Sequence, residues 1–160
     1  MLLACWKIMA VTMLAAISLG ATLLPAAALS LPKVDHAATL KECGSCHMVY
    51  PPQLLPQRSW DALMGKLDSH FGENATLDDA TRVGILAYLL AHAADAPGTA
   101  TTDALSGIDV SAVPDRITSL PWWLGRHEEV NMANIKATRV KTAANCVGCH
   151  TGAGEGSYSE

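Results

Sequence analysis

An all-α fold is the architecture this sequence predicts. Apolar residues recur at helical spacing, no stretch alternates apolar and polar positions as a half-buried strand would, and two Cys-x-x-Cys-His pentads each follow a segment that reads as a helix. The pentads are Cys43-Gly44-Ser45-Cys46-His47 and Cys146-Val147-Gly148-Cys149-His150. Their spacing is the one that attachment of a c-type haem requires. Two thiols on one helical turn can add to the two vinyl groups on one porphyrin edge, and the adjacent histidine then reaches the iron. The expectation is two covalently bound c-type haems, tethered by Cys43, Cys46, Cys146 and Cys149, with His47 and His150 as proximal metal ligands. A zinc ribbon built from two Cys-x-x-Cys pairs, or one or two disulfides, would also use these cysteines. Neither accounts for a histidine directly after both pairs.

The elements follow in order. Lys7 precedes an apolar run from Ile8 to Leu24, and Pro25-Ala26-Ala27-Ala28 follows as a breaker with small residues. That is the pattern of a secretory signal peptide over residues 1–28, cleaved after Ala28. The run is also about long enough for a retained anchor, but the Ala-x-Ala site follows it immediately. Cys5 lies before the run and leaves with the leader. Haem attachment to reduced thiols outside the bacterial inner membrane agrees with export, so the expected compartment is the periplasm.

Residues 29–95 read as a first haem-bearing domain. A short helix is expected over 33–46, running into the first pentad. Pro51, Pro52 and Pro56 forbid regular helix, so Val49 to Gln57 is expected to be extended. Ser59 is placed as the cap of a helix carrying Trp60, Leu63, Met64 and Leu67 on one face and ending near His70-Phe71-Gly72. Thr76 with Asp79 resembles a capping box opening a third helix, with Ile85, Leu86, Leu89 and Leu90 as its buried stripe. Residues 96–113, rich in Thr, Ala, Gly, Asp and Ser, read as linker. Residues 114–160 form the second haem-bearing domain. There Pro121-Trp122-Trp123 opens a helix reaching about Val130, and 136–149 is expected as a last helix into the second pentad.

Composition narrows the function. The formal net charge is −4, and loss of the leader removes only Lys7, leaving −5. Four haem propionates would add to this. No basic stripe offers itself to nucleic acid, and an acidic redox protein expects partners with positive docking surfaces. The chain has one Phe, three Tyr and four Trp. Two buried porphyrins would supply apolar mass that these few rings do not.

The second pentad is followed only by Thr151 to Glu160, without His or Met, so a sixth ligand for that haem must lie upstream. Candidates are His36, His70, His92 and His127, with Met48, Met64 and Met132. His70 lies 23 residues after His47, and His127 lies 23 residues before His150. This suggests one local distal histidine per haem, His70 for the first and His127 for the second. Trp123, one turn before His127, is a ring suited to a porphyrin face. His92 near a helix end is explained by the carbonyl dipoles there, and His36 as a surface residue. The methionines read as core, with Met64 the replacement ligand if His70 fails.

These residues together resemble a known family. Glu42-Cys43-Gly44-Ser45-Cys46-His47-Met48, Tyr50-Pro51-Pro52, Leu55-Pro56, Ser59-Trp60 and His70-Phe71-Gly72-Glu73-Asn74-Ala75 are similar to the periplasmic dihaem cytochromes c of purple and related proteobacteria, often called DHC. So are Arg116-Ile117-Thr118, Trp122-Trp123, His127-Glu128 and Asn145-Cys146. The resemblance implies a class-I-like front domain, a smaller helical haem-binding segment behind it, bis-histidine ligation of both irons, and haems close enough for fast transfer. It also implies an electron courier between a membrane cytochrome b and a small oxygen-binding monohaem cytochrome. A second imidazole in place of methionine lowers the reduction potential, so the expectation is a low-potential carrier and not an enzyme. The alternative is a small dihaem redox enzyme of peroxidase or nitrogen-oxide reductase type, in which one haem is open.

Overall fold

The computed structural model describes residues 28–99, 103–135 and 138–159. The leader expected over 1–28 therefore lies, except for its last residue, outside the described residues. Among the described residues five α-helices carry the fold: α1 Ala37–Cys43, α2 Gln57–Met64, α3 Asp79–His92, α4 Pro121–Arg126 and α5 Met132–Ile135, with short 3-10 turns between several of them and after the last. No strand occurs among the described residues. The β-type pairings there are isolated bridges, Ser30 with Ser157 and His70 with Glu73.

The helices start and stop where local chemistry dictates. His36 caps α1 in an extended conformation, so the helix begins four residues later than the sequence suggested, and it ends at Cys43, where the Gly44 amide donates to Leu40 O. Cys43 is thus the last helical residue and Cys46 sits in the turn beyond it. In α2 the cap is Pro56, not Ser59, and Ser59 is fully buried inside the first turn. The first helical amide, Gln57 N, donates instead to the Asp95 carboxylate at 2.7 Å, so the acceptor comes from across the fold and not from a local Ser. The same helix stops at Met64 and not at His70, because Gly65 closes it and a separate 3-10 turn spans Leu67–Ser69. For α3 the cap is Asp78, whose carboxylate accepts from the Thr81 amide at 3.0 Å, in place of the expected Thr76. A free carboxylate beside the helix start is the better acceptor, and Thr76 is already bonded to Asn74 Oδ1 at 2.6 Å. Pro121 opens α4 as expected, but that helix ends at Arg126.

The largest departure lies before the second pentad. Residues 138–149 form bends and one 3-10 turn at Cys146–Gly148, not a helix; residues 136 and 137 lie outside the described set. Side chains here bond to nearby backbone in place of the helical ladder. Thr138 Oγ1 accepts from the Val140 amide, Thr142 Oγ1 from the Ala144 amide, and Asn145 Nδ2 donates to Val140 O. Such bonds compete with helix wherever Thr and Asn cluster, and Lys141 at φ 66° breaks the pattern outright.

One hydrophobic core joins the front and back of the chain. Leu55, Trp60, Met64, Ile85, Leu89, Ala93 and Ala96 pack with Leu120 and Trp123 of the α4 region. Trp60 also ties α2 to the proline loop, its Nε1 donating to Pro52 O at 2.8 Å. Within the segment expected as linker, Ala96 and Ala104 are buried, and Arg58 donates to the carbonyls of Asp109 and Ala112. The first and last described segments also meet. Leu31 N donates to Gly156 O at 2.8 Å and Tyr158 N to Leu29 O at 2.9 Å. Gly156 adopts φ 84°, and a Cβ there would lie 2.0 Å from Leu31 O, so only glycine permits this approach.

Candidate haem-binding sites

The first site grows from the turn that ends α1. His47 is exposed, and its Nδ1 lies 2.6 Å from Met48 O. A carbonyl only accepts, so Nδ1 carries the hydrogen and the Nε2 lone pair is left for a metal. Facing it is His70, with ring centres 6.3 Å apart and planes inclined at 24°. A two-residue reversal presents His70: its amide donates to Glu73 O at 2.8 Å and the Glu73 amide returns to His70 O at 3.0 Å. The central residues, Phe71 at φ 52° and Gly72 at φ 101°, are both left-handed, as a type I′ turn demands. Phe71 is held there by the Arg116 guanidinium, 4.0 Å above its ring, and by edge contact with His70. Burial, then the neighbouring His47, hold the His70 imidazole below its usual pKa, favouring the neutral form that donates to metal. Beside it opens a cavity of about 530 Å³ lined by Ser59, Leu63, His70, Phe71 and Val113 among others.

Because Gly72 has open space around its α-carbon, a Cβ there costs conformation rather than contacts. Gly72→Ala is expected to destabilise the turn by about 1–2 kcal/mol, the left-handed penalty for an L-residue. Chemical denaturation of the holoprotein checks this, and an unchanged midpoint would show that the turn relaxes.

The second site is built on the end of α4. His127 stacks on buried Trp123, with centroids 4.0 Å apart and planes at 13°, and its Nδ1 lies 2.8 Å from Trp123 O. The backbone acceptor again fixes the hydrogen on Nδ1 and aims Nε2 outward. Trp123 is part of the core and is the platform for this ring. His150 faces His127 with ring centres 6.1 Å apart and planes at 86°. Its Nδ1 is 3.5 Å from Ser159 O, and Tyr158 touches it edge-on at 5.8 Å.

Both pairings match the donor set of a six-coordinate haem. A metal held at about 2.0–2.1 Å by a nitrogen of each of two imidazoles places the ring centres roughly 6 Å apart. Among the described residues Ser59 Oγ, Trp122 Nε1 and Tyr158 OH are buried without a hydrogen-bond partner, and Ser59 lines the cavity beside His70, where a bound group with carboxylates would supply an acceptor. The other histidines stand apart from these pairs. His36 stacks on Tyr88 at 4.7 Å and bonds Thr39 Oγ1, so it is a packed and not a surface residue; His92, in the last turn of α3, leans on the same Tyr88. Met64 is in the core, Met48 is half-buried and Met132 is exposed.

All four pentad cysteines are free of disulfides. The Cys43 and Cys146 thiols are half-buried, and burial pushes both up, with Glu42 and Cys149 adding to the respective effect. Among the described residues no three His, Cys, Asp or Glu converge as a zinc ribbon would require.

Sequence reasoning missed two aromatic residues. Tyr50 stacks on His47, with centroids 5.0 Å apart at 29°, while its OH donates to Ala144 O at 2.7 Å, across 94 positions of sequence. Its pKa is pushed up to about 12 by burial and then by Cys146. Tyr158 is likewise raised by burial, Cys146 and Tyr50, so these three groups are neighbours. The available signal was proximity to the pentads: Tyr50 follows His47 by three positions and Tyr158 follows His150 by eight.

Helices without strands, two Cys-x-x-Cys-His attachment segments and two opposed histidine pairs define a dihaem c-type cytochrome. Residues 39–158 match the family model DHC, dihaem cytochrome c, and the chain belongs to that family. It is similar to the structure of the dihaem cytochrome c from Rhodobacter sphaeroides, with 43% identity, 80% of this chain and 99% of that one covered, and a TM-score of 0.72. A crystal structure of DHC purified from the same organism shares 41% identity over 78% of this chain and 98% of that one, at a TM-score of 0.66. The dihaem cytochrome type c of Shewanella baltica OS155 shares 33% over 75% and 84%, at 0.61. Among curated proteins none matches. The protein accordingly carries two covalently bound c-type haems, as the pentads predicted, and its family is one of electron transport. No helix among the described residues is long and apolar enough to cross a membrane.

Proposed function

We propose that this protein is a periplasmic, low-potential electron carrier in which each haem is ligated by two histidines. Cys43 and Cys46 tether the first haem between His47 and His70; Cys146 and Cys149 tether the second between His150 and His127. The observation that carries this reading is the pair of opposed imidazoles, 6.3 Å and 6.1 Å between ring centres. Bound haem supplies a one-electron ferric–ferrous couple there. The rest is the work of the chain. Nδ1 of His47 and of His127, committed to Met48 O and Trp123 O, orients each ring and makes Nε2 a stronger donor. Two imidazoles leave no open position for a substrate and favour the ferric state more than a His/Met pair would, which lowers the potential.

A chain of formal charge −4 suits partners with basic docking faces. The partners proposed are those the family resemblance implies, a membrane cytochrome b on one side and a small oxygen-binding monohaem cytochrome on the other. Export by a leader cleaved after Ala28 completes the proposal.

Carbon monoxide tests it. Added to the ferrous holoprotein, it is expected to leave the visible spectrum nearly unchanged, and the near-infrared spectrum of the ferric form is expected to report His/His ligation at both irons. Rapid stoichiometric binding at one haem would instead identify a small dihaem enzyme with an open site.

A further inference from the structure

We propose that Tyr50 is the positioning residue that sets the separation and the electronic contact of the two haem sites. The proposal rests on the bis-histidine reading above and extends it to how the two sites communicate. Tyr50 touches both. Its ring lies on the proximal His47, and its hydroxyl donates to the carbonyl of Ala144, two residues before the Cys146 tether. That carbonyl is also 3.6 Å from Cys146 Sγ. One ring contact and one hydrogen bond therefore connect the first proximal ligand to the backbone that holds the second haem.

The surrounding chain makes this link rigid on one side and necessary on the other. Pro51 and Pro52 follow Tyr50, both buried, and a residue before proline is confined to extended conformations, so the backbone that carries the ring is held, while the ring itself is held by His47 and by the bond to Ala144 O. The loop 138–149 takes its shape from bonds internal to it, made by Thr138, Thr142 and Asn145. Those bonds fix its form but not its distance from the first site. Two contacts hold it there, the packing of Ala143 against the core and the bond from the Tyr50 hydroxyl to Ala144 O, and the second belongs to a residue that also touches His47. An electron passing between the sites oxidises one and reduces the other, with no bond to either ligand set made or broken and no proton exchanged. Its rate falls steeply with separation and with the loss of bonded contacts along the way.

Tyr50→Phe in the full holoprotein is the test, because it removes one oxygen and leaves the stacked ring. Exchange of the electron between the haems, read from exchange cross-peaks of the haem methyl resonances in the half-reduced protein, is expected to slow several-fold. Both haems should stay attached and low-spin. Tyr50→Leu, which also removes the ring, is expected to slow exchange further and to disturb the resonances of the first haem. Exchange at the unmodified rate in Tyr50→Phe would overturn the proposal. So would a change confined to thermal stability, which a merely structural role would produce. Failure of the bis-histidine reading would show separately, as a high-spin or carbon monoxide-binding haem in the unmodified protein.

Discussion

His127→Ala is expected to convert one of the two haems to high spin, open it to carbon monoxide and leave the other unchanged. His127 holds its place by stacking on Trp123 and by the bond from Nδ1 to the same residue's carbonyl, and no other histidine or methionine lies within α4 to take over. His70→Ala should do the same to the other haem, and the double variant should open both. Losing the imidazole that stabilises ferric iron should raise that haem's midpoint by on the order of 100 mV, a modest part of the roughly 0.8 V that axial ligands span. A potentiometric titration of His127→Ala would then show one wave moved upward and one in place. His92→Ala and His36→Ala serve as controls: both rings pack on Tyr88, and their removal should leave ligation intact. If His92→Ala opened a haem while His127→Ala left both low-spin, the pairing would be wrong.

Loss of a whole haem is the second large effect. With Cys146 and Cys149 both replaced by Ala, the protein is expected to carry one haem, seen as half the pyridine haemochrome and a mass lower by one porphyrin. The remaining haem, held at Cys43 and Cys46, should keep its low-spin spectrum, since its opposed histidines and the turn at Phe71-Gly72 lie in the front of the chain. The reciprocal Cys43 and Cys46 variant should retain only the second haem. The same mass spectrum reads the mature terminus, expected at Leu29. Two haems on either double variant, or none, would contradict independent attachment.

What could be read directly from the sequence was whatever depends on residues close together in it. The pentads specify their chemistry within five positions. The stripe of α3 follows from helical periodicity, and the reversal at His70 stands where Phe71-Gly72 interrupts the apolar pattern. Caps were less legible, because Asp78, Thr76 and Pro56 can each begin a helix and tertiary packing chooses among them. The loop before Cys146 departs from the helix that periodicity over 136–149 predicts, because Thr and Asn side chains compete for the backbone there and their rotamers are set by the fold. That Trp123 packs on the α2–α3 core is not legible in the sequence, because those neighbours are remote along the chain. The contact of Tyr50 with Ala144 is invisible for the same reason.

The contact between the first and last described segments bears on the order in which the molecule folds. Residues 29–31 lie against residues 156–158, and Lys33 bonds Glu155 across 122 positions. A ribosome releases the carboxyl terminus last, so the first of these partners waits without its mate through almost the whole of synthesis. Closing so long a loop is slow and comes after shorter-range structure. The contact forms only once both segments have been made, and a product truncated before Gly156 would lack it.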